Sequence, residues 1–197
     1  MQQEINLLSK LPRGKRNVNA RAEAKTDEII AISREYGELY FDGPRKYGYG
    51  GYRYDGRWIP VAEDMVKHFD LKPGDRVLDV GCGKGFLVKD LIKVCPGLEA
   101  FGLDISEYAL MHCEPEVAGR LHLGNAVKLP FPDGSFKAVI SLNTVHNLDR
   151  DDLIGLCLGA GVDIAFAARK LRKEIDFLLH AYALSLAARA SPSRSGI

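Results

Sequence analysis

Gly81, Gly83 and Gly85 stand at alternate positions directly after an apolar run, Val77-Leu-Asp-Val80, that carries one carboxylate, Asp79. The run reads as a buried strand, the glycines as a tight turn, and Phe86 to Val94 as a helix opening from it. Glycine suits such a turn because a side chain would block backbone approach to a ligand, while the N–H groups of a helix start offer donors to polar ligand atoms. The spacing narrows the ligand. A dinucleotide fingerprint needs a glycine where Phe86 stands, and Gly83-Lys84-Gly85 does not complete a P-loop, so both phosphate readings are weakened.

A second carboxylate follows at the interval a ribose diol asks for. Leu98 to Ile105 reads as the next strand, and Asp104 at its carboxyl end lies about 20 residues beyond the glycines. Ser106 competes with it as the cap of the following helix. Leu121 to Ala126 is a short third strand, and Lys137 to Asn143 a fourth, after a loop rich in proline and phenylalanine. The alternation of strand and helix predicts an α/β fold with a doubly wound, mostly parallel sheet, whose ligands sit at the carboxyl ends of the strands.

Four successive motifs, Asp79-Val-Gly-Cys-Gly-Lys-Gly85, Leu103-Asp-Ile-Ser106, Gly124-Asn-Ala-Val-Lys-Leu-Pro-Phe-Pro-Asp-Gly-Ser-Phe136 and Val139-Ile-Ser-Leu-Asn-Thr-Val-His146, together resemble the class I S-adenosylmethionine-dependent methyltransferases with a Rossmann-like core. The resemblance spans about residues 60–150. It implies S-adenosylmethionine as cofactor. Asp79 with the turn of Gly81, Cys82, Gly83 and Gly85 would hold its methionine end, Asp104 and Ile105 its ribose region, Asn125 and Ala126 its adenine edge. Leu142 and Asn143, closing the fourth strand, would lie under the methionine amino group and face the substrate. Members of the family commonly carry an acid where Asn125 stands; an amide oxygen still accepts from the adenine amino group.

Methyl transfer of this kind asks little of side chains, because alignment of the reacting atoms supplies as much as ~7–11 kcal/mol. A base is needed only for a protonated acceptor. His146 is the candidate, against the plainer reading that it packs or caps a helix with Asn147. Tyr49, with Tyr47 and Tyr52, is placed to shield a cationic sulfur and orient a substrate. The activity implied is methylation of oxygen or nitrogen on a small molecule. The alternative is a non-catalytic or degenerate cofactor-binding protein.

The other elements must position these residues. Residues 1–59 comprise a basic arm over about the first 20 positions, read as a solvated tail, then one amphipathic helix from Ala20 to Phe41 with Thr26 at a start or cap within it. A segment follows in which five of the eight tyrosines and the sole tryptophan lie between Tyr40 and Trp58, interleaved with glycine. That composition forbids a regular helix and leaves two readings, an aromatic-faced loop or hairpin that closes over a pocket, which is favoured, and a packed surface loop. Residues 60–150 form the cofactor-binding core and residues 151–197 an atypical helical end. There the family's fifth strand and closing pair are not legible: Val162 to Phe166 is too short and isolated to read as a strand, and Leu171, Ile175, Leu178, Leu179, Tyr182 and Leu186 form an apolar stripe. The fourth strand is therefore expected to lose its neighbour, and a helix over about residues 165–190 to cover the sheet or pair with a second subunit as a homodimer.

A net charge of +1 gives no bulk electrostatic case for nucleic acid or an anionic membrane. The expected partner is a small-molecule substrate, beside the homodimer contact named above, with no nucleic acid and no membrane. Cys82, Cys95, Cys113 and Cys157 show no paired spacing, so neither a metal site nor a disulfide framework is predicted. With no apolar span and no signal-like start, the chain is expected to be cytoplasmic.

Overall fold

A computed structural model of the 197-residue chain describes residues 6–12, 26–142, Thr144, Asn147 and 164–167. Its centre is a five-stranded sheet of order β3-β2-β1-β4-β5, parallel throughout. The strands are β1 (Arg76–Val80), β2 (Glu99–Asp104), β3 (Leu121–Leu123), β4 (Ala138–Leu142) and β5 (Ile164–Ala167). Among the described residues three helices precede the sheet in sequence, α1 (Asp27–Arg34), α2 (Glu38–Phe41) and α3 (Ile59–His68), and two lie within it, α4 (Phe86–Val94) and α5 (Glu107–Met111). A 3₁₀ turn, Pro115–Val117, leads into β3. This is the doubly wound α/β arrangement expected, with the strand order reversing beside β1, where such sheets open a crevice.

The central strands are apolar on both faces, as strands covered on both sides must be. Val77, Leu78 and Val80 of β1 and Val139 and Ile140 of β4 are all buried. Against one face pack Val61, Ala62 and Met65 of α3 and Leu87, Val88 and Leu91 of α4. Each helix is amphipathic, so burying this stripe is what holds it on the sheet. Pro60 in the first turn of α3 lacks an N–H that the helix would leave unpaired in any case.

Three expectations change. The single helix from Ala20 to Phe41 is two within the described residues: Tyr36 adopts φ 49°, a left-handed conformation that stops α1, and Gly37 then caps α2. Thr26 does start α1, its Oγ1 accepting the Ile29 N–H at 3.3 Å. The arm is not wholly solvated, since Leu7, Leu8 and Leu11 pack against the core and Lys10 meets Asp64 at 2.6 Å. The carboxyl-terminal expectation changes most. Ile164–Ala167 pairs in parallel with Val139–Leu142, so β4 keeps a neighbour and residues 165–167 are strand rather than helix. The remainder of the expected helix and its dimer contact lie outside the described residues. Among the described residues no helix is long and apolar enough to cross a membrane.

One close approach sets the distance between β2 and the turn after β1. A Cβ at Gly102 would lie 2.6 Å from Cys82 Sγ and 2.8 Å from Leu121 Cδ2, closer than real contacts allow. Overpacking there should destabilise Gly102→Ala by about 1–3 kcal/mol in a denaturant titration. Combining it with Cys82→Ala, which removes the sulfur, should cost less than the sum of the two single losses; strict additivity would show that the sulfur is not the obstacle.

Candidate functional site

The turn after β1 is built on left-handed glycines. Gly81, Gly83 and Gly85 have φ of 81°, 55° and 75°, which side chains rarely adopt. Space is as restrictive as conformation: a Cβ at Gly81 would sit 1.7 Å from Thr144 Oγ1, and one at Gly83 would lie 3.2 Å from the Tyr52 ring. The N–H groups of Gly81 and Cys82 donate to the Leu103 carbonyl, that of Gly85 to the Cys82 carbonyl, and that of Gly83 to Asp104 Oδ2 at 2.7 Å. At these four positions the donors expected to serve a ligand are used internally. The turn offers close backbone approach in their place.

Asp104 ends β2 and does two jobs in the fold. Besides Gly83, its other oxygen accepts the Ser106 N–H at 2.8 Å. The competition over the cap of α5 resolves in favour of Ser106, whose Oγ accepts the Ala109 N–H at 3.0 Å and donates to the Tyr36 carbonyl at 2.5 Å. Asp79, one strand away on β1, is buried. Burial and then the nearby charge of Asp104 push its carboxyl up to about 7. Burial also raises Asp104, although the N–H groups of Ser106, Gly83 and Ile105 oppose the shift.

A cavity of about 240 Å³ opens at the carboxyl ends of the strands. From the sheet it is lined by Val80, Gly81, Gly83, Leu103, Asp104, Ile105 and Leu142, and from the loops beyond by Gly124, Asn125, Ala126, Val127, Thr144 and Asn147. Tyr36, Tyr40, Phe41 and Tyr49 line it from the amino-terminal elements. These aromatic rings brace one another: Tyr40 meets Tyr36 and Tyr49 edge-on at 5.2 and 5.3 Å, and Phe41 stacks on Tyr49 at 5.7 Å. Tyr49 donates its hydroxyl to Tyr40, and burial pushes the Tyr49 phenol far above its ordinary value. It is therefore a hydrogen-bonding or ring contact at neutral pH, not a base.

The cavity thus brings together Gly81, Gly83, Asp104, Ile105, Asn125, Ala126, Leu142 and Tyr49. Asp79, Cys82 and Gly85 do not line it. Asp79 and Cys82 are buried behind it, and Gly85 is the amino-terminal cap of α4. The plain packing role read for Cys82 agrees with a sulfur wedged against Gly102 and a thiol raised well above its ordinary value by burial. Asn125 Oδ1 already accepts the Val127 N–H at 3.0 Å, which leaves the amide one further lone pair for a ligand. Asn143 and His146 lie outside the described residues. Of the other two tyrosines named with Tyr49, Tyr52 covers Gly83 from behind, whereas Tyr47 is not among the lining residues and has the Lys46 ammonium 4.7 Å above its ring.

The sequence reading missed Tyr36, Tyr40 and Phe41 as site residues because their spacing suits a helix stripe. Their direct continuation into the tyrosine-glycine segment was the available signal. Thr144 was also missed, and only the missing Cβ of Gly81 makes room for it.

A family model described as a methyltransferase domain matches residues 77–158. A sterol 24-C-methyltransferase from Gibberella zeae is 34% identical over 150 residues, covering 66% of this chain and 38% of that protein. A demethylmenaquinone methyltransferase from Symbiobacterium thermophilum is 39% identical over 92 residues, covering 43% of this chain and 37% of that one. The solved [4+2]-cyclase SpnF superposes with a TM-score of 0.52 at 15% identity, covering 64% of this chain and 57% of that one, and speaks to the fold alone. Over residues 77–158 the domain model, together with these relatives, supports the class I S-adenosylmethionine-dependent methyltransferase family, whose cofactor is S-adenosylmethionine. It spans under two fifths of the length of these two curated relatives.

Asp79 gives the site a pH signature in the unliganded protein. Its folded value of about 7 lies above its ordinary 3.8, so its favourable contribution is complete below pH 3.8, is lost as pH rises toward about 7, and is flat beyond. Asp79→Asn cannot ionise and should escape that loss. Its melting temperature should exceed the wild type's by a margin that grows between pH 4 and 7, reaching on the order of 2–4 kcal/mol of added stability. A pH-independent margin would mean that Asp79 titrates normally.

Proposed function

We propose that this chain is a methyltransferase that transfers the methyl of S-adenosylmethionine to oxygen or nitrogen of a small molecule. The observation that carries the reading is the order of groups along one cavity: the glycine turn on β1, the carboxylate closing β2, and the Asn125-Ala126 loop after β3. The cavity fits the cofactor's chemistry. A Cβ at Gly81 would run into Thr144 of its lining, and two carboxylates stand beside it with aromatic faces opposite. That is the pairing of negative charge and π-surface a sulfonium and an ammonium call for.

When bound, the cofactor supplies a sulfonium methyl already activated toward in-line displacement. Asp104 is assigned the ribose hydroxyls, Asn125 and Ala126 the adenine edge, and Asp79 behind the turn the positive field at the methionine end. Tyr36, Tyr40 and Tyr49 exclude water and present ring faces to the cation, with Tyr49 positioning rather than ionising. His146 retains its assignment as base for a protonated acceptor, and Asn143 its assignment beneath the amino group. The relatives named as sterol and demethylmenaquinone methyltransferases support a small organic acceptor. We place the activity in the cytoplasm, a reading supported by the unpaired thiols of Cys82, Cys95 and Cys113.

The test is a screen for methylated product over sterol, quinol, phenol and amine acceptors, with calorimetry of the cofactor alongside. Asp104→Ala should bind the cofactor about 1.5–3 kcal/mol more weakly, the range for hydrogen bonds to a charged group. It should also melt lower, because the Gly83 and Ser106 N–H groups lose their acceptor. Unchanged affinity in a folded Asp104→Ala protein removes the ribose assignment, and binding with no turnover on any acceptor favours a non-catalytic cofactor-binding protein.

A further inference from the structure

The glycine turn has only two side chains between Gly81 and Gly85, and one of them is tied to the aromatic segment. Lys84 is buried, and its ammonium meets Asp42 Oδ2 at 2.6 Å. Asp42 lies immediately after α2, at the root of the tyrosine-glycine segment, and is a junction of three donors. Besides Lys84, it accepts the Tyr108 hydroxyl at 2.8 Å and the Tyr52 N–H at 3.1 Å. Burial pushes its carboxyl up, but these bonds outweigh burial and hold it below the ordinary value.

The far end of the segment is fixed too. Tyr54 donates to Asp90 Oδ1 on α4 at 2.6 Å, and Tyr52 stacks on Phe86 of the same helix at 4.6 Å. Between Asp42 and Tyr54 lie Gly43, Gly48, Gly50 and Gly51, the last two at φ of 73° and 97°. The segment is thus a strap with glycine along its length and polar anchors at its ends. Its Tyr49 reaches the cavity while its Tyr52 sits behind Gly83.

Resting on the cofactor reading above, we propose that Asp42 and Lys84 are positioning residues that make closure of the strap and the ligand-ready shape of the glycine turn a single event. The physical reason is the asymmetry of an ion pair buried on one side, the Lys84 ammonium being withdrawn from water while the Asp42 carboxylate stays partly exposed. Replacing both partners by uncharged groups is often tolerated, whereas removing one leaves a buried charge that must move to find water. Stranding Lys84 therefore displaces the turn on which it stands. A strap freed from Lys84 likewise loses its hold over Gly83. The pair need not stabilise the fold to have this effect on the site.

The experiment uses the full chain as wild type, Asp42→Asn, Lys84→Met and the double variant, at a temperature well below every melting point. Trypsin cleavage at Arg45, Lys46 and Arg53, followed by mass spectrometry without ligand, reads the strap. Calorimetry with S-adenosylhomocysteine reads the turn. Each single variant should speed cleavage in the strap and weaken binding about tenfold, as expected when the binding-competent fraction falls to about one tenth. The double variant should bind no worse than the weaker single one, because the two residues act as a unit. Unchanged cleavage and affinity in the single variants, or losses that simply add, overturn the proposal. Wild-type protein that does not bind S-adenosylhomocysteine overturns the functional reading, and the cleavage comparison still decides whether the pair fastens the strap. Should Asp42→Asn fail to fold, Lys84→Met decides by both readouts.

Discussion

Two carboxylates at the ends of adjacent parallel strands are the constraint on which the site depends. Asp79 on β1 and Asp104 on β2 are both withdrawn from water, and the charge of one raises the proton affinity of the other. Among the described residues neither carries a lysine or arginine partner in the way that Asp42 or Asp75 does. The protein manages the charge with backbone dipoles. Asp104 takes the N–H of Gly83 and the N–H of Ser106, which also fixes the turn before α4 and the entrance to α5. Asp79 has no such pair among the described residues and holds its proton to about pH 7. A buried negative field awaiting a positive ligand is costly in the free protein and useful in the bound one.

Everything around this pair serves to bring it to one edge. Parallel strands joined by covering helices deliver their carboxyl ends to the same side, and the reversal of order beside β1 leaves the gap there unfilled. Glycine at 81 and 102 lets neighbouring chains approach closer than any side chain would permit. The aromatic residues of the amino-terminal region then close the open side. Their contacts with one another and with Phe86 fasten that region to α4.

Much of this was legible because it rests on local chemistry. The strand, the turn and α4 follow from a short apolar run, three glycines and an amphipathic pattern, all contiguous. The carboxylate at the end of β2 follows from spacing. What could not be read depends on distant partners. The break at Tyr36 is tied to Ser106, 70 residues away, and no local residue announces a left-handed tyrosine. The pairing of β5 escaped because four residues, Ile-Ala-Phe-Ala, suit strand or helix alike until β4 lies beside them. Asp42 was passed over for a similar reason: a lone aspartate after a short helix resembles a cap, and only the fold brings Lys84 and Tyr108 to it.

A cationic cofactor should relieve the buried Asp79 and the half-buried Asp104. Titrating the unliganded wild-type protein with S-adenosylmethionine at pH 6.5, in two buffers of different ionisation enthalpy, measures the protons exchanged on binding. At that pH Asp79 is largely protonated, and a neighbouring positive charge should lower its affinity for the proton. The predicted result is binding with net proton release, abolished in Asp79→Asn. Binding whose heat is the same in both buffers, or no binding at all, would contradict the central claim.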